Sequence, residues 1–116
     1  MRLDTIKSKK DFVQVLKKGQ LVSSRFVALR ILFRSATVNR FGVLTSARIF
    51  RKASLRNKIK RRLRETLRRV GVGLRPGHDL ILIARPGIDR QPLNSIVDTT
   101  RSLLTTTHLL KDHHDR

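Results

Sequence analysis

Residues 52–69 read K-A-S-L-R-N-K-I-K-R-R-L-R-E-T-L-R-R, and no other run restricts the possible folds as much. At 100° per residue, Leu55, Ile59, Leu63, Leu67 and Val70 fall in one sector, the stripe that a surface helix buries against a core. Asn57, Arg61, Arg64 and Arg68 point the opposite way in one row, with Lys60 beside it and Arg56 and Lys58 at the first turn. Like charges at i,i+4 destabilise an isolated helix by a few tenths of a kcal/mol per pair, so this row suits a polyanionic partner. The run therefore predicts a helix that needs a core on one side and meets a phosphate backbone on the other.

The whole chain supports that partner. Its 27 Lys and Arg against 8 Asp and Glu give a formal charge of +19 in 116 residues. Such a charge concentrates nucleic acid and makes its binding salt-dependent. Arg outnumbers Lys two to one, which suits forked contacts to phosphates and stacking on bases. The length fits one domain, predicted over residues 1–110, and the 39% hydrophobic content suffices for a modest core. With no cysteine, disulfides and thiolate metal sites are excluded. The charged N-terminus lacks the apolar stretch of a signal peptide, and the longest aliphatic run, 80–84, is too short to span a bilayer; a cytoplasmic protein that needs no membrane is expected.

Ser8 followed by Asp11 resembles a capping box, and Phe12, Val15, Leu16 and Gly19 complete a short helix from about Lys9 to Lys18. Period-two alternation over 26–34 puts Val27, Leu29, Ile31 and Phe33 on a core face, and Phe26, Ala28, Arg30, Leu32 and Arg34 on an accessible one. A polar connection at 35–39 predicts a hairpin to a second long strand, in which Phe41, Val43, Thr45 and Ala47 alternate with Gly42, Leu44, Ser46 and Arg48. The basic helix follows, closed by Gly71 or Gly73 in the left-handed conformation. The aliphatic run 80–84, bounded by Pro76-Gly77 and Pro86-Gly87, reads as an interior strand. Past Pro92, the spacing of Leu93, Ile96, Val97, Thr100 and Leu104 predicts a last helix over the sheet, and residues 111–116 are expected to form a disordered tail.

Arg56-Asn57-Lys58-Ile59-Lys60-Arg61-Arg62-Leu63-Arg64-Glu65 closely resembles the R-N-R-x-K-R-x-x-R-E signature of the protein subunit of bacterial ribonuclease P. The resemblance extends to Arg2-Leu3, Asp11-Phe12, Gly19, Arg40-x-Gly42, Ala53 and Ile83-Ala84-Arg85. It implies an α/β (α+β) two-layer sandwich in the order α-β-β-β-α-β-α, with a four-stranded sheet, a short extra strand near Leu21 to Ser24 and a left-handed crossover against the usual rule.

The resemblance also implies a division of labour in which a larger RNA subunit, with bound magnesium ions, cleaves precursor transfer RNA to remove its 5′ leader. The protein supports that RNA and needs no protein partner. Carried over by position, Arg56, Asn57, Lys58, Lys60, Arg61, Arg64 and Arg68 would contact the catalytic RNA, Lys58 standing where Arg is usual. A leader cleft would be lined by Phe12, Leu16, Ala28, Arg30 and Arg48. Leu16 stands where a second aromatic is common, and Ala28 and Arg30 at strand positions often filled by apolar and aromatic residues, so weaker base stacking is expected, while the Arg30 guanidinium offers a stacking plane or a phosphate contact. The turn at 49–52 lacks the family's usual glycine and is one residue longer.

Nothing in the chain suggests catalysis by the protein itself: there is no Ser-His-acid set and no paired carboxylates. His113 and His114 stand in the tail beside Asp112 and Asp115, whereas a metal site needs ligands in fixed geometry. Gly71-x-Gly73 follows a helix, so a dinucleotide-binding reading fails on context. The alternative from composition alone is a non-enzymatic binder of structured RNA of the ribosomal-protein type; the signature helix after a period-two hairpin argues against it.

Overall fold

A computed structural model describes residues 4–109 of the chain; the tail with His113 and His114, and the matched Arg2-Leu3, lie outside the described residues. The elements are α1 (Lys9–Lys18), β1 (Gln20–Ser23), β2 (Val27–Phe33), β3 (Arg40–Leu44), α2 (Ala53–Val70), β4 (His78–Ala84) and α3 (Leu93–Thr106), with 3-10 turns at Gly71–Gly73 and Ile88–Arg90. Their order is the expected α-β-β-β-α-β-α.

The sheet order is β1-β2-β4-β3. β2 pairs antiparallel with β1 and β4, while β3 runs parallel to β4, from Arg40↔Asp79 to Leu44↔Ile83. The expected hairpin between β2 and β3 is therefore corrected: the two strands run in opposite directions but β4 lies between them. Composition explains the insertion, because Leu80, Ile81 and Leu82 are fully buried and need cover on both faces, which a central strand receives. The second strand is also shorter than expected, ending at Leu44, so that Ala47 and Arg48 belong to a turn. The outer edge of β3 is partly covered by the N-terminal segment, where Phe41 N–H donates to Asp4 O at 2.9 Å and Ile6 N–H to Phe41 O at 3.0 Å.

One face of the sheet carries the main core. Val27, Leu29, Ile31, Phe41, Leu80, Leu82 and Ala84 meet Ile59, Leu63, Leu67 and Val70 of α2 and Ile96, Val97 and Leu104 of α3. The predicted stripe of α2 is thus the buried one, with Thr66 inside it and Leu55 at its margin. Phe33 corrects the expected core face of β2: at the end of the strand it is 66% exposed and rests edge-on against His78. Gly71 has right-handed dihedrals, and α2 runs into a 3-10 turn; among the described residues the glycines with positive φ are Gly77 and Gly87, so the predicted left-handed stop at Gly71 or Gly73 is not used.

The other sheet face is crossed by α1. Ser8 caps it, accepting from Asp11 N–H at 3.3 Å, and Gly19 ends it by donating to Val15 O at 2.8 Å. Val15 is its fully buried residue, with Phe12 and Leu16 half-buried beside it. Among the described residues no helix is long and apolar enough to cross a membrane.

Candidate nucleic-acid interface

Two surfaces on opposite faces of the sheet hold the residues singled out above. The first is the outer side of α2. Asn57, Lys58, Arg61 and Arg64 are exposed and Lys60 half-exposed, and among the described residues no ion pair or side-chain hydrogen bond engages them. Among the described residues the charges of Lys58, Lys60, Arg61 and Arg64 meet no carboxylate, with the neutral Asn57 amide beside them.

Other members of the predicted set are differently occupied. Arg56 Nη1 donates to Phe50 O and Arg51 O, both at 2.9 Å, and so braces the turn at 49–52. That turn is fixed further by Phe50 N–H donating to Ser46 O at 2.9 Å and by the burial of the Phe50 ring. Arg56 thus organises the entry to α2, where the N-cap Lys52 offers no side-chain bond. Arg68 Nη1 lies 2.6 Å from Glu65 Oε1 and Arg69 Nε 3.0 Å from Oε2. Hydrogen bonds from Arg69 and Arg68 hold the Glu65 carboxyl below its ordinary pKa. Arg62 was not singled out by sequence; its Nη1 donates to Gln91 O at 2.6 Å and ties α2 to the segment before α3.

The second surface lies between α1 and the sheet. Strand register aligns Arg30, Ile81 and Gly42 in one row across β2, β4 and β3, with Ala28, Ile83 and Leu44 in the next. α1 runs above the first row. At one end Phe12 lies over Gly42, so closely that a Cβ on that glycine would stand 2.7 Å from Phe12 Cε2. At the other end Arg30 Nη1 donates to Gly19 O at 3.0 Å. The second row carries Ile83 and Leu44, both half-exposed, on the same sheet face that α1 crosses.

The predicted cleft set is only partly assembled. Phe12 and Leu16 on α1 and Arg30 on β2 are all half-exposed on this side of the sheet, with Phe12 over Gly42 and Arg30 at the opposite end of the helix. Ala28 lies in the second row beside Ile83 but is 6% exposed, which corrects the expectation of an accessible position: the strand face is shaded by its neighbours. Arg48, expected on a strand face, is instead exposed in the turn after β3. The guanidinium of Arg30 is partly committed to a backbone carbonyl, which fixes its direction.

On the opposite side of α1 the structure holds an ion network that sequence reasoning missed. Asp79, its side chain 2% exposed, accepts from Arg40 Nε at 2.9 Å, Arg40 Nη2 at 2.6 Å and Arg34 Nε at 2.6 Å. Arg40 Nη1 also reaches Asp11 Oδ2 of α1 at 3.2 Å. Burial pushes the Asp79 carboxyl up, but the hydrogen bonds from Arg40 and Arg34 outweigh it and its pKa falls below the ordinary value. The Arg40 guanidinium is correspondingly raised, chiefly by its hydrogen bond to Asp79. The signals that would have pointed to this network are a lone Asp at the head of an aliphatic strand and an Arg opening β3.

Among the described residues no group of three or more His, Asp or Glu side chains comes together to hold a metal ion. A carboxylate-rich magnesium site of the usual protein type does not fit these residues.

A family model described as Ribonuclease P matches residues 1–108. The chain is 30% identical over 111 residues to the ribonuclease P protein component of Caldanaerobacter subterraneus subsp. tengcongensis, covering 96% of this chain and 95% of that one. Identity to the protein component of Syntrophomonas wolfei is 34% over 85 residues, 73% of this chain and 71% of the other. The ribonuclease P protein of Staphylococcus aureus superposes with a TM-score of 0.80 at 26% identity, over 95% of this chain and all of that one. The corresponding protein of Thermotoga maritima has the same fold, with a TM-score of 0.78 at 23% identity over 89% of this chain and 96% of that one. With the family model matching residues 1–108 and relatives 30% identical over nearly the whole chain, the chain belongs to the ribonuclease P protein family.

Proposed function

We propose that this chain assembles with a catalytic ribonuclease P RNA, through the outer side of α2, and holds the 5′ leader of precursor transfer RNA in the cleft between α1 and the sheet. The bond is cut by the RNA subunit, which carries the magnesium ions that the reaction needs. The observation that carries this reading is the charge of Lys58, Arg61 and Arg64, unpaired among the described residues and with Asn57 beside them, on the side of the signature helix opposite the stripe of Ile59, Leu63, Leu67 and Val70 that is buried in the core. A phosphate backbone neutralises such a row and releases its counterions.

The cleft suits a single strand. Phe12 offers a half-exposed ring for stacking, the half-exposed Ile83 and Leu44 give an apolar floor, and Arg30 supplies a fixed positive charge at its side. The turn at 49–52, braced by Arg56, presents Arg51 and Lys52 beside the first turn of α2 and extends the basic surface. Gripping the leader raises the affinity for precursor over product, because only the precursor carries it.

The test is reconstitution. Purified protein alone is expected to leave precursor transfer RNA intact, and its addition to the cognate catalytic RNA at low magnesium to restore cleavage at the 5′ end. Site-specific cleavage by RNA-free, nuclease-free protein would overturn the division of labour.

A further inference from the structure

Gly42 has no positive φ that would require glycine for the backbone; what it provides is space. An added Cβ would lie 2.7 Å from Phe12 Cε2, 3.3 Å from Phe12 Cδ2 and 3.5 Å from Ile81 Cγ1. The closest of these atoms is the far edge of a ring that is half-exposed and able to swing outward. A methyl group at this position therefore displaces the ring and leaves the strand in place.

Two residues earlier on the same face, Arg40 grips both carboxylates that flank this contact. Its Nε and Nη2 hold Asp79, the buried anchor on β4, while Nη1 reaches Asp11, the residue before Phe12. The first turn of α1 is thus set by three independent contacts: the Ser8 cap, the Asp11–Arg40 pair and the seat of Phe12 on Gly42. The last two come from β3, a strand with no other part in the cleft beyond Leu44.

We infer that Gly42 and the Arg40–Asp11 pair are positioning elements for leader recognition, fixing the height and tilt of the Phe12 ring above the sheet and thereby the width of the cleft. The inference rests on the reading of Phe12 as a leader contact. Neither Gly42 nor Asp11 needs to touch the leader; each acts through Phe12. Stacking demands a ring plane held at contact distance, so a platform lifted by a methyl group or freed at its helix end loses affinity even though its chemistry is unchanged.

The test is a double-mutant cycle in holoenzyme reconstituted with the cognate catalytic RNA, using precursor transfer RNA with a long leader and with a one-nucleotide leader. Circular dichroism and affinity for the catalytic RNA report folding and assembly. Phe12→Ala is expected to weaken long-leader binding about 5- to 150-fold and to spare the short-leader substrate. Gly42→Ala should weaken long-leader binding by between about threefold and the full Phe12→Ala loss, and Asp11→Asn by about two- to fivefold. Added to Phe12→Ala, neither should cost anything more. If Phe12→Ala itself shows no leader-dependent loss, the leader reading falls and the inference with it. If Phe12→Ala behaves as expected, the inference alone is overturned by any of three results: either second variant is silent by itself, weakens both substrates equally, or adds its full loss on top of Phe12→Ala.

Discussion

Arg40 and Asp79 face one another across the parallel β3–β4 pair, with Nη2 2.6 Å from Oδ2 and Nε 2.9 Å from Oδ1. This forked pair, with Arg34 as a third contact, holds a carboxylate whose side chain is 2% exposed. Two guanidiniums on one buried carboxylate satisfy its lone pairs, which makes the burial tolerable. They also join β2, β3 and β4 at one end of the sheet.

Acid should loosen this end first. Because the pKa of Asp79 is lower in the folded state than in the unfolded chain, its contribution to stability is fully present above the unfolded carboxyl value. It is lost as pH falls through the folded value, so urea stability is expected to drop below about pH 4. Asp79→Asn, which leaves both guanidiniums short of a partner, should cost about 3 kcal/mol at neutral pH and flatten the acid limb of the stability curve. Glu65, also lowered, retains part of that limb. Urea midpoints from pH 2 to 7 for the two proteins would decide it; parallel curves would contradict the role assigned to Asp79.

Leu63 is fully buried in the centre of the α2 stripe, in the core cluster that residues of the sheet and α3 also form. Leu63→Ala should lower the unfolding free energy by about 2 to 5 kcal/mol through lost transfer energy and an unfilled cavity. Chemical denaturation should show a lower midpoint with an unchanged slope.

Replacing Arg61 and Arg64 by Ala should leave stability near wild type, since both side chains are exposed. Affinity for the catalytic RNA should fall, and the slope of log K against log salt should shrink by about 0.7 to 0.9 for each phosphate contact removed. A salt titration of the folded double variant measures both; unchanged affinity and slope would remove this face from the interface.

Arg30→Ala should reduce affinity for long-leader precursor more at low salt than at high, because a positive charge is removed from the cleft wall. Phe12→Ala should show a loss nearly independent of salt, since stacking carries it. Equal losses with long and trimmed leaders would show that these residues do not form a leader cleft, and Phe12 would then be a packing residue only.

The helices were the most legible part of the fold. The α1 boundaries, the buried stripe of α2 and the spacing of Ile96, Val97, Thr100 and Leu104 in α3 follow from periodicity within a few turns of chain. Three of the four strands were legible as strands, and the aliphatic run of β4 as an interior one; the short β1 was implied by the family resemblance and not by any pattern in the residues. The pairing of the strands was not legible: the short polar segment at 35–39 reads as a hairpin locally, whereas the burial demand of Leu80, Ile81 and Leu82 places β4 between the strands that it joins.

The site divides along the same line. The direction of Arg61 and Arg64 away from the core was determined by the sequence of α2 alone, because one helix period decides it. What each remaining arginine does was decided by tertiary structure, because its partner is remote: Arg56 braces the preceding turn, Arg62 holds Gln91 O, and Arg40 reaches Asp79 across 39 positions of chain. The same holds for Gly42, whose missing side chain has a meaning only once α1 has laid Phe12 over it. A side chain's face is a property of local geometry. Its partner depends on which segments the burial of apolar surface has brought together, and no short-range pattern records that.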